Sequence, residues 1–165
     1  MAELTVLESK LGEVAGLAMA AQGATDKVKK LVEEEGASGL AQELERMHRE
    51  AAETEERVTQ RAEELDGKKT AILEKAREVK QEATEMMQTY LGSDADALDG
   101  FEFLTMAEAG ETGHWRVVAE LNARKRLPGL QEVVDWVTPI QERHFQKSLA
   151  GAVELAADED PDATS

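Results

Sequence analysis

Apolar residues recur at helical spacing along almost the whole chain, with polar positions between them. Leu4, Leu7, Leu11, Val14 and Ala18 form a first stripe, which Gly23 is placed to end as a C-terminal cap. Thr25 then caps a short turn through Val28 and Leu31, and Gly36-Ala37-Ser38-Gly39 interrupts the pattern. A longer second stripe takes in Leu40, Leu44, Met47, Ala51, Val58, Ala62 and Leu65 and stops at Asp66-Gly67. A third holds Ile72, Ala76, Val79, Ala83, Met86 and Tyr90 and closes at Gly92. Ser93 and the aspartates after it suit a helix start, where negative charge meets the positive end of the helix dipole. The fourth stripe carries Phe101, Leu104, Trp115, Val118 and Leu121, and Leu127-Pro128-Gly129 makes a turn. Val133, Val134, Val137, Ile140, Phe145, Leu149 and Ala152 continue a fifth helix past Pro139, which should kink it. The pattern predicts an all-α fold: an antiparallel four-helix bundle with an additional N-terminal helix. A single domain is expected over residues 1–156, followed by a disordered, flexible acidic tail over 157–165.

Composition narrows the function classes. The 165 residues are 41% apolar but only 4% aromatic, which favours helices packed on helices over a sheet sandwich. Nineteen basic residues against thirty-five acidic ones leave a formal charge of −16. A field of that sign repels nucleic acid and anionic membranes, so neither is an expected partner, whereas metal ions and basic partners are attracted. The lack of cysteine excludes disulfides, thiolate metal sites, iron–sulfur clusters and cysteine nucleophiles. There is no Gly-rich phosphate loop and no Gly-x-Ser-x-Gly elbow. Met1-Ala2-Glu3-Leu4 lacks the basic run and apolar stretch of a targeting segment, and no stretch reaches the length of a membrane span, so the expected compartment is the cytoplasm.

The candidate chemistry gathers around three histidines. Glu45 precedes His48 by three residues and Glu111 precedes His114 by three, while His144 has Gln141 at that spacing and Glu142 two before it. Residues at i and i+3 share a helical face, so a carboxylate and an imidazole can reach the same metal ion. The fourth stripe, at 101, 104, 108, 111, 115 and 118, reads Phe, Leu, Glu, Glu, Trp, Val, which puts Glu108 and Glu111 at core positions. Burying an unpaired carboxylate costs several kcal/mol, so a cation, a proton or a basic side chain such as Arg46, Arg116 or Arg143 must compensate. About a turn centred near residue 128, Glu111 and His114 come level with Glu142 and His144 in an antiparallel pair. Gly110 and Gly113 flank the Glu111 motif and either allow a close approach or break the helix there.

Glu45-Arg46-Met47-His48 and Glu111-Thr112-Gly113-His114 resemble the Glu-x-x-His elements of the ferritin-like superfamily of carboxylate-bridged two-metal bundles. The pair His114-Trp115 and a final acidic helix bearing Glu142 are similar to small stress-associated ferritin-like proteins of bacteria. The likeness covers roughly residues 40–156; His144 is an extra histidine relative to that pattern, and the third-helix ligand (Glu78, Glu82 or Glu85) is marked by no motif. The resemblance implies a di-iron centre, with manganese or zinc as other metals, that oxidises Fe(II) or reduces peroxide in stress protection. Its ligands would come from Glu45, His48, Glu108, Glu111, His114, Glu142 and His144. The rival expectation is an interaction or scaffold protein without chemistry, whose buried Glu and His residues are structural. There the stripe from Leu4 to Ala18 would pack against a second chain, for example as a homodimer. A third, an enzyme with Glu108 and Glu111 as an acid/base pair, is weaker, since two carboxylates one turn apart on one helix do not flank a substrate.

Overall fold

The computed structural model describes residues 2–164; among these the secondary structure is entirely helical. The helices are α1 (Val6–Glu34), α2 (Ser38–Glu63), α3 (Lys69–Tyr90), α4 (Ala97–Lys125) and α5 (Leu130–Ala157). Two of them start with reciprocal capping boxes that satisfy otherwise orphaned N–H groups. At α1 the Thr5 N–H donates to the Glu8 carboxylate at 2.7 Å and the Glu8 N–H to the Thr5 hydroxyl at 3.3 Å. At α4 Asp96 and Asp99 exchange the same pair of bonds at 3.1 and 2.8 Å. Between α4 and α5 the chain turns through left-handed Arg126 (φ 56°) and Gly129 (φ 71°).

The expected stop at Gly23 is absent, and so is the break that was one of the two readings of Gly110 and Gly113. Helix α1 runs unbroken through Gly23, and α4 through Gly110 and Gly113. A glycine inside a helix costs about 1 kcal/mol against alanine. The apolar residues beyond each one outweigh this: Ala24, Val28, Leu31 and Val32 on α1, and Trp115 and Val118 on α4, are all buried.

Helices α1, α2, α5 and α4 close a circuit of contacts in that order, and α3 packs on α1 and touches α2. Leu7 and Leu11 at the start of α1 cluster with Val58 and Ala62 late in α2, with Val118 late in α4 and with Leu130 at the start of α5. At the other end Val28 and Val32 cluster with Leu44, Phe101 and Ala152. Neighbours in the circuit are therefore antiparallel. Helix α3 runs alongside α1 in the same direction and carries the chain back to the end from which α4 descends.

The supernumerary helix is thus α3, and the N-terminal helix is a full member of the circuit. The reason lies in how far each stripe is buried. From Leu7 to Val32, α1 buries apolar residues along its whole length, whereas α3 buries only Ala71, Ile72 and Ala76. Met86 and Tyr90, which continue the α3 stripe, are exposed. The first half of α3 is seated on two glycines of α1. A Cβ at Gly12 would lie 2.7 Å from Lys75 Cβ and 2.9 Å from the Ile72 carbonyl; at Gly16 it would lie 2.8 Å from Val79 Cβ and run into the Ala76 carbonyl.

The apolar core is divided in two. Leu11, Val14, Val58, Ile72, Trp115 and Val137 belong to one cluster, and Val28, Leu44, Met47, Phe101 and Leu104 to the other. Buried polar side chains, among them Glu108, Glu111, Gln141 and His144, occupy the level between them.

Candidate functional site

The buried polar layer is built by α2, α4 and α5. His144 is 2% exposed, and its Nε2 lies 2.7 Å from Glu50 Oε2 and its Nδ1 3.5 Å from Glu108 Oε2. Glu50 also accepts from Arg46 Nε at 3.1 Å and from the Arg143 guanidinium. Beside this chain, Gln141 donates to Glu111 Oε2 at 2.7 Å. Burial opposes protonation of His144, but Glu108 and Glu50 on either side outweigh it and hold the imidazole pKa above its ordinary value. Burial also pushes Glu50 upward, yet hydrogen bonds from His144 and Arg46, with the charge of Arg143, leave its pKa below the usual carboxylate range. Burial and the adjacent Glu108 raise the Glu111 pKa well above the ordinary value. Glu111, held toward its neutral form, beside His144, held toward its charged form between Glu50 and Glu108, is a self-compensating arrangement.

Of the residues singled out from the sequence, Glu108, Glu111 and His144 come together here. Arg46 and Arg143, two of the basic side chains named as possible counter-charges, reach Glu50 in the same network, and the remaining candidate ligands lie on outer faces or edges. Glu45 is exposed and pairs with Lys29 at 2.7 Å, which lowers its pKa. His48 sits at the α1–α2 edge, with Nδ1 3.1 Å from the Gln22 carbonyl and 3.2 Å from Asp26. His114 turns its Nδ1 to the Gly110 carbonyl at 2.9 Å and its Nε2 toward Glu13 at 3.6 Å. Glu142 is exposed and pairs with Arg116 at 2.8 Å. On α3, Glu78, Glu82 and Glu85 are exposed. Glu50 and Gln141 join the layer without having been singled out. Glu50 lies one position off the α2 stripe, and Gln141 was visible only as the residue three before His144.

A second feature adjoins the layer. Between α1, α3 and α4 a cavity of about 210 Å³ opens to solvent. Leu17, Ala20, Ala21 and Ala24 line it from α1, and Ala83, Thr84, Met86 and Met87 from α3. Phe103, Leu104, Met106, Ala107, Glu108, Gly110, Glu111 and His114 line it from α4. Small side chains on α1 leave a trough there, and the poorly buried second half of α3 forms its far wall. The wall is almost wholly alkyl and aromatic, and Glu108 and Glu111, both buried, are its inner polar groups.

A two-metal carboxylate bundle places one inward Glu on each of two helices and a Glu-x-x-His pair on each of the other two. On α1 the buried positions facing this level, Ala18, Ala21 and Thr25, offer no metal ligand of that set, and on α2 the carboxylate that reaches it, Glu50, is already taken by His144, Arg46 and Arg143. On α5 Gln141 stands three before His144, where that motif has Glu. Among the described residues no group of three or more His, Asp or Glu side chains is arranged to hold a metal ion. These donors do not fit a two-metal centre. No helix among the described residues is long and apolar enough to cross a membrane. No family model, curated protein or solved structure matches the chain.

Proposed function

We propose that the chain is a binding protein for a small apolar molecule, held in the cavity between α1, α3 and α4 on a helical scaffold whose buried ion network is structural. The observation that carries this reading is an open cavity of about 210 Å³ with an apolar wall and two buried carboxyl groups at its inner side. Apolar cavities with a few convergent polar groups are where small ligands lodge. Titration calorimetry with 1-octanol tests it, on the wild type and on Ala83→Phe, which fills the trough from the weakly packed half of α3. Saturable one-site binding that disappears in the variant, with melting temperature retained, is the expected result. No saturable heat in the wild type, or equal binding by both proteins, overturns it.

We further propose that α1, α2, α4 and α5 form a ferritin-like four-helix bundle with α3 as its one long crossover, a topology that such bundles use. On this reading the ligand positions have passed to an ion network, which is why Gln141 and not Glu stands before His144. Elemental analysis of protein purified without chelators should find no stoichiometric iron, manganese or zinc. About two equivalents of metal, lost in His144→Gln, would restore the two-metal reading.

A further inference from the structure

With no cysteine in the chain, six methionines are its only sulfur. Met1 lies outside the described residues, and the other five are unevenly exposed. Met47 is 1% exposed in the core, and Met19 packs partly buried against the other cluster. Met86 is 60% exposed and Met106 48%, and both line the cavity, one on the α3 wall and the other on the α4 wall. A thioether attacks peroxide through its sulfur lone pair, so the sulfurs in water react first. The sulfur takes one peroxide oxygen as the O–O bond breaks and an S–O bond forms. Hydrogen peroxide leaves as one water, reduced by the two electrons that the thioether loses. The product is a polar sulfoxide where an apolar side chain stood. The hydroxyl and the imidazole on these walls are already engaged: Thr84 donates to the Lys80 carbonyl at 2.7 Å, and His114 turns its Nδ1 to the Gly110 carbonyl at 2.9 Å. A sulfoxide that stays on the wall therefore sets an unpaired dipole against an alkyl ligand. One that turns to solvent takes its methyl group off the wall. Either way the ligand loses apolar contact.

We propose that Met86 and Met106 are a paired oxidation site that controls the cavity: peroxide converts both to sulfoxides, and the apolar ligand is released. The inference rests on the cavity being the binding site and adds how that site is regulated. The fold tolerates the change, because both side chains project from outer helix faces and neither belongs to a core cluster. The switch is reversible, since sulfoxide reductases return each epimer to the thioether.

A graded hydrogen peroxide series on the wild-type protein, with sulfoxides located by peptide mass mapping and 1-octanol binding followed by titration calorimetry, separates the two claims. Met86 and Met106 are expected to oxidise well before Met19 and Met47. Octanol should then bind at least about tenfold more weakly, with the melting temperature retained and the affinity restored by methionine sulfoxide reductases. The double variant Met86→Leu, Met106→Leu, compared with itself before and after peroxide, should change by no more than about twofold. The oxidation order and the reductase rescue need no variant, so a misfolded double variant does not shelter the proposal. If untreated protein binds octanol and the oxidised protein binds it equally, or if Met19 or Met47 oxidises as early, the cavity remains a binding site and the switch falls. Loss of binding that comes with a lost melting transition, or that persists in a folded double variant, also overturns it. If untreated protein binds no octanol, both fall.

Discussion

Replacing Glu111 by Gln should make the protein more stable at neutral pH. Glu111 is 6% exposed, lies next to Glu108, and has its pKa held well above the ordinary 4.5 by burial first and by the Glu108 charge second. A group with a raised folded pKa contributes stability below its unfolded value, and that contribution is lost as pH rises through the folded pKa. Linkage sets the scale at about 1.4 kcal/mol for each pH unit above the unfolded value, so the loss is at most about 4 kcal/mol at pH ~7.5. Gln keeps the shape and still offers an oxygen to the Gln141 amide, 2.7 Å from the wild-type carboxyl. Weakening that bond returns about 1 kcal/mol. The expected net gain is on the order of 1–3 kcal/mol at pH ~7.5, and it is gone by pH ~4, where only the weakened Gln141 bond separates the two proteins and the variant is the less stable by up to about 1 kcal/mol. For a chain of this length each kcal/mol corresponds to about 2–4 °C in melting temperature. Urea denaturation of both proteins at a series of pH values reads the difference directly. A Glu111→Gln protein less stable than wild type at pH ~7.5, or a difference independent of pH, would mean that Glu111 is ionised and paired with a cation, and the self-compensating network would be refuted.

Three further outcomes follow from the same structure. His144→Gln leaves Glu50 and Glu108 without the imidazolium between them and should lose about 3–5 kcal/mol of stability in urea denaturation; a change below about 1 kcal/mol would contradict that role. In wild type, the His144 contribution is present below its ordinary value of 6.5 and lost as pH rises through the raised folded pKa. The Glu50 contribution runs the other way: it is present above 4.5 and lost as pH falls through the lowered folded pKa. The melting temperature should therefore peak in mildly acidic solution, and a flat profile from acid to alkali would count against both assignments. Gly16→Ala, which drives a methyl into the Ala76 carbonyl, should destabilise by about 1–3 kcal/mol and loosen α3 in hydrogen exchange, whereas an unchanged exchange pattern would show that α3 is not seated there.

Helix positions and turns were legible because each rests on local chemistry. The stops at Asp66-Gly67, Gly92 and Leu127-Pro128-Gly129 and the acidic start of α4 all stand. Which helix stands outside the circuit was not legible, because Val79, Ala83, Met86 and Tyr90 repeat at the same period as a buried stripe. Only the packing reveals that Met86 and Tyr90 are exposed. Glu108 and Glu111 could be placed in the core because apolar residues bracket them on one clean stripe. On α5 the phase was misread past Pro139: Ile140, Phe145 and Leu149 look like the inward face, but Gln141, His144 and Ser148 are the buried residues. A polar core face next to an apolar flank inverts the usual signal. Glu45 and His48 share a helical face, as their spacing implies, but that face meets the edge of α1, because the inward positions of α2 are Leu44, Met47 and Ala51.

The most direct test of a ligand site between α1, α3 and α4 is a methyl NMR spectrum of protein labelled at methionine, recorded as 1-octanol is added. Met86, Met87 and Met106 line the cavity, while Met47 is buried in the core and Met19, which packs partly buried against the other core cluster, does not line it. The expected result is a saturable shift of the first three methyl signals, with Met19 and Met47 nearly still. Signals that do not move, or that all drift in proportion to the alcohol added, would contradict a binding site there.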